Sequence, residues 1–333
     1  MRCSIQNEIQ NGGTESTKFT QLGERMEMYL LKSRSENTNS KYFSAFKRWE
    51  RFITLEKGKA VPATPIHVAL YLTHLLDNGS SCSVIQSAVY GIKWAHNLQG
   101  LQDPTDNSFV HNLVETAKRQ PRQPKSKKDH VTTESLIELC TKYKDSNDLT
   151  VVRDLSMITL CFSGFLRYDE ISSIRCKDII FKDDHLQIKI LKSKTDQYRM
   201  GNEIVISKGQ SFACPYNLLK KYFLLADTNS MSEHLLFKPI FRSKHRCSLI
   251  YKNKPVSYTR ARVCIISRLK EVIFSSNIGL HSLRAGGATV AANSNVNERC
   301  WKRHGRWKSD SAKDGYIADS LEHRLDVTKL LGL

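Results

Sequence analysis

Two arginines, a histidine, a tryptophan and a tyrosine carry the chemistry open to this 333-residue sequence. "HSLRAGG" places His281 and Arg284 three residues apart, so on a helix they are neighbours. Histidine exchanges a proton near neutral pH, and arginine's planar fork matches a phosphate bidentately. "SGFLRYDEISSI" sets Arg167 in an apolar segment, with Glu170 one turn later to hold the cation. "RHGRWKSDSAKDGYI" supplies Trp307, an N–H donor on a wide apolar plate, and then Tyr316. Tyrosine is a poor nucleophile at its free pKa of about 10; nearby arginines and a base would activate it. Cutting a phosphodiester without metal needs a nucleophile, a proton acceptor, a proton donor for the leaving hydroxyl, and cations on the non-bridging oxygens.

The donor is the least marked part. "ILKSKTDQYRMG" puts Lys194 in an expected turn between two strands, from which it could swing to a leaving oxygen; Lys192 is a close competitor. Each residue alone also has a plainer reading. Arg167 and Glu170 make a structural pair, Lys194 is a solvated charge, and His281 caps a helix. Arg284 lies on the surface, and Trp307 and Tyr316 fill a core.

The elements that must position these residues fall into two groups. "SENTNSKYFSAFKRWERFITLEK" reads as a helix, with Asn37, Thr38 and Asn39 as cap candidates and Tyr42, Phe46, Trp49 and Ile53 on an apolar face. Lys41, Lys47, Arg48 and Arg51 lie around its other side. Three more helices follow, in "TPIHVALYLTHLLDNG", "SVIQSAVYGIKWAHNLQG" and "NSFVHNLVETAKRQ". "KRQPRQPKSKKDH" then reads as an extended, solvated linker carrying Lys118, Arg119, Arg122, Lys125, Lys127 and Lys128. Beyond it, helices in 132–174 give way to period-two patterning in 178–207, which predicts a three-stranded antiparallel sheet; the remainder returns to helix. The division expected is a disordered lead over 1–19, a helical domain over 20–117, a basic linker over 118–130 and a second domain over 131–333.

Composition narrows the partners. The formal net charge of +18 and pI near 9.5 point to nucleic acid, since cations that neutralise phosphates release counterions. No run approaches the roughly 18 apolar residues of a membrane span. The polar N-terminal stretch lacks the apolar core of a secretory signal peptide. Nine cysteines, scattered without a CxxC pair, argue against a zinc module and a disulfide framework, and for a reducing compartment with thiols as small buried groups.

Taken in order, the boxes resemble the signature of the tyrosine recombinase (phage integrase) family: Arg, Lys, His-x-x-Arg, His or Trp, Tyr. "GFLRYDEISSI" is similar to the first arginine box, "SKT" to the lysine box, "HSLRAGG" to His-x-x-Arg, and "GRWKSDSAKDGY" to the last box, with Trp307 in its His/Trp slot. The helices around "NTNSKYFSAFKRWERFI" resemble the family's core-binding domain. One departure is "RHGRW" where "LLGH" is usual, which leaves His304 offset by three and outside the expected catalytic set.

The resemblance implies a mainly helical fold with a small antiparallel sheet: a helical, SAM-like core-binding domain and an α+β catalytic domain that clamp double-stranded DNA like a C. It implies that Tyr316 forms a 3′-phosphotyrosyl bond, that Arg167 and Arg284 hold the phosphate, that His281 is base and acid, that Lys194 protonates the 5′-oxygen, and that Trp307 donates or buttresses. Neither ATP, metal nor another small-molecule cofactor is expected, because the covalent bond stores the phosphodiester energy. Strand exchange implies self-association to a tetramer on DNA, and the stripe Ile317, Leu321, Leu325 and Leu330 suggests a tail that docks into a neighbouring protomer. The flavour is closest to recombinases of eukaryotic mobile elements, which, with "KSKK" at 125–128, suggests nuclear residence. Two other classes stay open: a type IB topoisomerase-like enzyme, less favoured by the compact helical N-terminal domain, and a catalytically retired DNA-binding descendant of a mobile element.

Overall fold

In the computed structural model, which describes residues 17–121, 128–193, 196, 200–243 and 247–332, the apolar face of the first expected helix points into a core. The chain divides into two compact units, residues 1–125 and 126–333. The first contains α1 (Thr17–Lys32), α2 (Glu36–Leu55), α3 (Pro65–Asp77), α4 (Cys82–Asn97) and α5 (Ser108–Arg119). Trp49 and Ile53 of α2 pack with Val68 and Leu72 of α3, Ile85 and Ile92 of α4, and Val110 of α5. The Trp49 indole N–H donates to the Ala60 carbonyl at 3.0 Å, so the large ring is buried without an orphaned donor.

Several boundaries differ from those expected. α1 begins at Thr17, inside the stretch read as a disordered lead, because Phe19, Leu22, Met26 and Tyr29 recur at helical spacing within a polar background. The cap of α2 is Ser35, whose hydroxyl accepts from the Thr38 N–H at 3.3 Å; Asn39 instead donates to the Leu31 carbonyl. Lys118 and Arg119 form the last turn of α5 and not an extended linker; the helix ends at Gln120, which Pro121 holds out of the helical region. Arg122, Lys125 and Lys127 lie outside the described residues.

The second unit runs α6 (Thr133–Lys142), α7 (Leu149–Ser163), α8 (Tyr168–Ile171), a 3₁₀ turn (Cys176–Asp178), β1 (Ile179–Phe181), β2 (His185–Ile190), β3 (Asn202–Ser207), α9 (Pro215–Leu225), β4 (Ile240–Arg242), β5 (Cys247–Leu249), α10 (Tyr258–Leu269), α11 (Leu280–Asn293), α12 (Glu298–His304), α13 (Asp310–Asp314) and α14 (Leu321–Lys329). α7 is its central pillar, buried from Leu149 through Cys161 save Thr150, and α9, α10 and α11 pack around it. The expected sheet is present and antiparallel in the order β1-β2-β3, with Ile188 opposite both Ile179 and Ile204 on the buried face. The β4–β5 hairpin interrupts the stretch expected to be helical; its strands are three residues each, too short for a period to register.

The fold is therefore mainly helical with small antiparallel sheets. Cys82, Cys140, Cys161, Cys176 and Cys214 are buried and free, and burial pushes the Cys140 thiol up to about 12. No helix among the described residues is long and apolar enough to cross a membrane.

Candidate active site

Arg167, Glu170, His281, Arg284, Trp307 and Tyr316 come from four segments of the second unit and meet at one place. Arg167 caps the short helix α8 at the end of the turn after α7, where Gly164 and Phe165 reverse the chain. His281 and Arg284 sit in the first turns of α11, whose N-cap is Gly279. They do not share an environment: His281 is exposed, while Arg284 is fully buried. α11 comes close enough for this only because two glycines follow. A Cβ on Gly286 would lie 2.1 Å from the Val131 carbonyl oxygen, and one on Gly287 would lie 2.2 Å from that of Phe162. The sequence Arg-Ala-Gly-Gly is thus a packing solution for the arginine ahead of it.

The cations converge on one carboxylate. Glu170, 1% exposed, accepts from Arg167 Nη1 at 2.9 Å and from the Arg167 backbone N–H at 2.9 Å. Arg284 Nη1 lies 3.9 Å from Glu170 Oε2. Arg306, a residue the sequence reading passed over, donates to the same oxygen at 2.8 Å. Three guanidiniums face one carboxylate, an excess of two positive charges in a buried setting. Such a cluster is costly when empty and receptive to an anion. Burial raises the Glu170 carboxyl, but Arg306, the Arg167 amide and the Arg167 charge outweigh it and hold the group below the ordinary range. Burial, then the charge of Arg167 and that of Arg306, push Arg284 down to about 9; it remains a cation at neutral pH. The only sign of Arg306 in the sequence is that it directly precedes Trp307 in "GRW".

Aromatic rings cover Arg284. Its guanidinium carbon stands 4.3 Å from the centre of the Trp307 ring and 5.1 Å from that of Tyr316. Arg284 Nη1 donates to the Phe165 carbonyl and Nη2 to the Gly305 carbonyl at 2.6 Å. Two buried donors, Arg284 Nε and Trp307 Nε1, have no partner among the described residues. Orphaned buried donors carry a desolvation cost that an incoming oxygen would relieve.

Tyr316 is half-buried beside the Trp307 ring, 5.6 Å between centres, and 6.4 Å from the His281 ring. Its carbonyl accepts from His130 Nε2 at 3.3 Å and from Thr289 Oγ1 at 3.4 Å. Just before it, Lys313 is buried over the Trp301 ring and ion-paired to Glu298, Asp310 and Asp314, which fixes α13 against α12. His304 stands outside this group: its Nε2 donates to the Ser163 carbonyl at 2.7 Å and its ring meets Phe165 edge-on. Lys194 lies outside the described residues; Lys192 is exposed just past β2. Among the described residues no cluster of histidine, cysteine and carboxylate side chains is arranged to hold a metal ion.

The basic residues singled out for DNA divide as follows. Lys41, Lys47 and Arg48 are exposed on α2, with Lys47 paired to Glu50 at 2.6 Å. Lys118 and Arg119 are exposed, Lys118 paired to Glu115 at 2.5 Å. Lys128, in the second unit, donates to Asn277 Oδ1 at 2.8 Å.

No protein-family model matches the chain. It is 26% identical over 294 residues to the integrase/recombinase xerD homolog of Selenomonas ruminantium, which covers 86% of this chain and 83% of that protein. It is 28% identical over 187 residues to recombinase cre of Escherichia phage P1, covering 53% of this chain and 52% of that one. Among solved structures it is similar in fold to XerH site-specific recombinase bound to palindromic difH substrate in a post-cleavage complex. The TM-score is 0.58 at 16% identity, over 89% of this chain and 80% of that one.

Proposed function

We propose that this chain is a tyrosine recombinase, as its similarity to the xerD homolog and to recombinase cre supports, and that its own residues carry out DNA cleavage and rejoining. The observation that carries the proposal is the meeting of Tyr316 with Arg284, Trp307 and His281 above the Glu170-centred cation cluster. Tyr316 Oη attacks the scissile phosphorus, forming a 3′-phosphotyrosyl bond as the bond to the 5′-oxygen breaks. His281 takes the tyrosine proton. Arg167 and Arg284 hold the non-bridging oxygens, where charge builds up. Trp307 gives its free indole N–H to one of them. Lys194 delivers a proton to the leaving 5′-oxygen; Lys192 competes for that role. The reverse sequence, with a 5′-hydroxyl from another strand as attacker, rejoins the DNA without ATP.

For a phosphate to reach Arg284, the rings of Trp307 and Tyr316 must part from it. Tyr316 is the mobile member, held by two long carbonyl contacts and by partial packing. Lys41, Lys47 and Arg48, with Lys118, Arg119, Arg122, Lys125, Lys127 and Lys128, neutralise the backbone of duplex DNA. Four copies assemble on two duplexes. The tail supports this: Leu321, Leu325 and Leu330 are exposed on the single chain and α14 has no buried residue, while Ile317 packs by the Trp301–Trp307 cluster. "KSKK" at 125–128 and the flavour of the boxes fit a nuclear protein. No observation favours a relaxing topoisomerase or a retired binder.

The test is a duplex with a nick placed to trap covalent product, incubated in EDTA and run on a denaturing gel. A covalent band that vanishes in Tyr316→Phe is expected. A band that survives the substitution identifies another nucleophile and overturns the assignment.

A further inference from the structure

Arg306 sits in a place that disfavours it twice. Its φ of +57 is left-handed, a region glycine enters freely and a side chain enters at a cost. It is also only 7% exposed, so a full charge is taken out of water. Bonds must offset both. Nη1 donates to the His304 carbonyl at 2.6 Å and to the Gly164 carbonyl at 3.2 Å. Nη2 donates to the Phe165 carbonyl at 2.9 Å and to Glu170 Oε2 at 2.8 Å. Lysine, a point charge on a flexible stem, could not serve four acceptors in this fork.

Two of those acceptors also serve the other arginines. Glu170 holds Arg167 through both its side chain and its amide. The Phe165 carbonyl accepts from Arg284 as well. Phe165 itself is left-handed, at φ +47, so its carbonyl is aimed into the cluster by an unusual backbone. One guanidinium therefore touches both the carboxylate that sets Arg167 and the carbonyl that sets Arg284. Those partners lie more than 130 residues earlier in the chain than the Trp307 loop to which Arg306 belongs.

We propose that Arg306 is a positioning residue for strand cleavage: it locks Glu170 to the Phe165 carbonyl, so that Arg167 and Arg284 meet the scissile phosphate at a fixed spacing. This rests on the reading above that those two arginines hold the phosphate. Arg306 is buried behind them and does not touch DNA.

Glu170 transmits the effect. The charged groups that face it are Arg167, Arg306 and Arg284, and Arg306 is the foremost of those that hold its carboxyl down against burial. Without Arg306 the carboxyl titrates higher. A protonated Glu170 loses its grip on Arg167, so the acid limb of cleavage moves up in pH.

Arg306→Gly is the informative variant, because it removes the side chain with its guanidinium while relieving the left-handed backbone. Covalent trapping on the nicked duplex is measured from pH 5 to 9, together with duplex affinity and with Glu170→Gln and the double variant. Duplex affinity should hold within about threefold, while trapping slows about 10- to 100-fold, the cost of a small misplacement of catalytic groups. The acid limb should move up, and the double variant should be no slower than Glu170→Gln alone, because the two act as a unit. Arg306→Lys should rescue neither rate nor limb. Unchanged trapping, or losses that multiply in the double variant, would overturn the proposal. If the wild-type chain itself yields no covalent product, the reaction assignment fails, and the coupling is read separately from unfolding. Arg306→Gly should then weaken acid resistance only where Glu170 is present, and an equal loss in the Glu170→Gln background rejects it.

Discussion

The guanidinium of Arg284 lies under the Trp307 ring, 4.3 Å from its centre, with the indole N–H left unpartnered among the described residues. Trp307 thus does two things, covering the cation and holding a donor ready. Trp307→Phe separates them, since it keeps most of the plate and removes the N–H. Covalent product should form about 10- to 100-fold more slowly, the scale of losing one donor to a developing negative charge, with duplex affinity unchanged. Equal loss in affinity and rate would assign Trp307 to binding instead.

His304 makes a pH prediction. Burial, Arg306 and Arg284 hold its ring below the ordinary histidine value of about 6.5, outweighing the Ser163 carbonyl, so the folded protein prefers it neutral. The preference is a stability gain present above that value, and lost as pH falls toward the folded value. His304→Gln, which can still donate to the Ser163 carbonyl, should flatten the fall in Tm on acidification from about pH 6.5. A fall of unchanged steepness would place the sensitivity elsewhere.

Gly287 tests how closely α11 must approach. An added methyl would meet the Phe162 carbonyl at 2.2 Å and the Phe165 ring at 2.7 Å, neither at the free end of a flexible chain. Gly287→Ala should destabilise by about 1–3 kcal/mol or more, read from urea unfolding. Because the same shift moves Arg284, surviving protein should cleave poorly.

The partner of Arg167 was legible in the sequence, since Glu170 lies one helical turn away and local spacing decides such pairs. The contrast between His281 and Arg284 was not. Neighbours on a helix face can differ wholly in burial when another segment closes over one of them, here the loop of Trp307 and Tyr316. Arg306 was opaque for the same reason: its partners lie in the α7–α8 turn, and nothing local marks a left-handed arginine. α1 was missed because its apolar residues are diluted by charge, and β4–β5 because three residues carry no period. The linker reading began too early because Lys118 and Arg119 were grouped with the bases and prolines that follow, although they also close the helix in "NSFVHNLVETAKRQ".

The tail offers a fourth test. Removing residues after Asp319, or Leu325→Asp with Leu330→Asp, should abolish tetramers on DNA while leaving duplex binding by the single chain intact. Sedimentation with and without DNA distinguishes the two. Assembly that persists would mean the exposed leucines have another use.

Lys313 is the last buried residue in the described chain, and Tyr316 follows it by three positions. Beyond it, Tyr316 and Ile317 pack partly against the Trp301–Trp307 cluster, and the chain after them is held by half-exposed polar contacts, such as those of Asn293 with Ala318 and Ser320. Tyr316, the proposed nucleophile, is therefore carried on a tether moored at Lys313 and only lightly packed beyond it. Withdrawing or presenting it disturbs almost none of the buried core, so its local opening needs far less free energy than global unfolding. On the proposed reading, a partner that captured α14 would set when the Tyr316 hydroxyl is in reach, so that cutting waits for company.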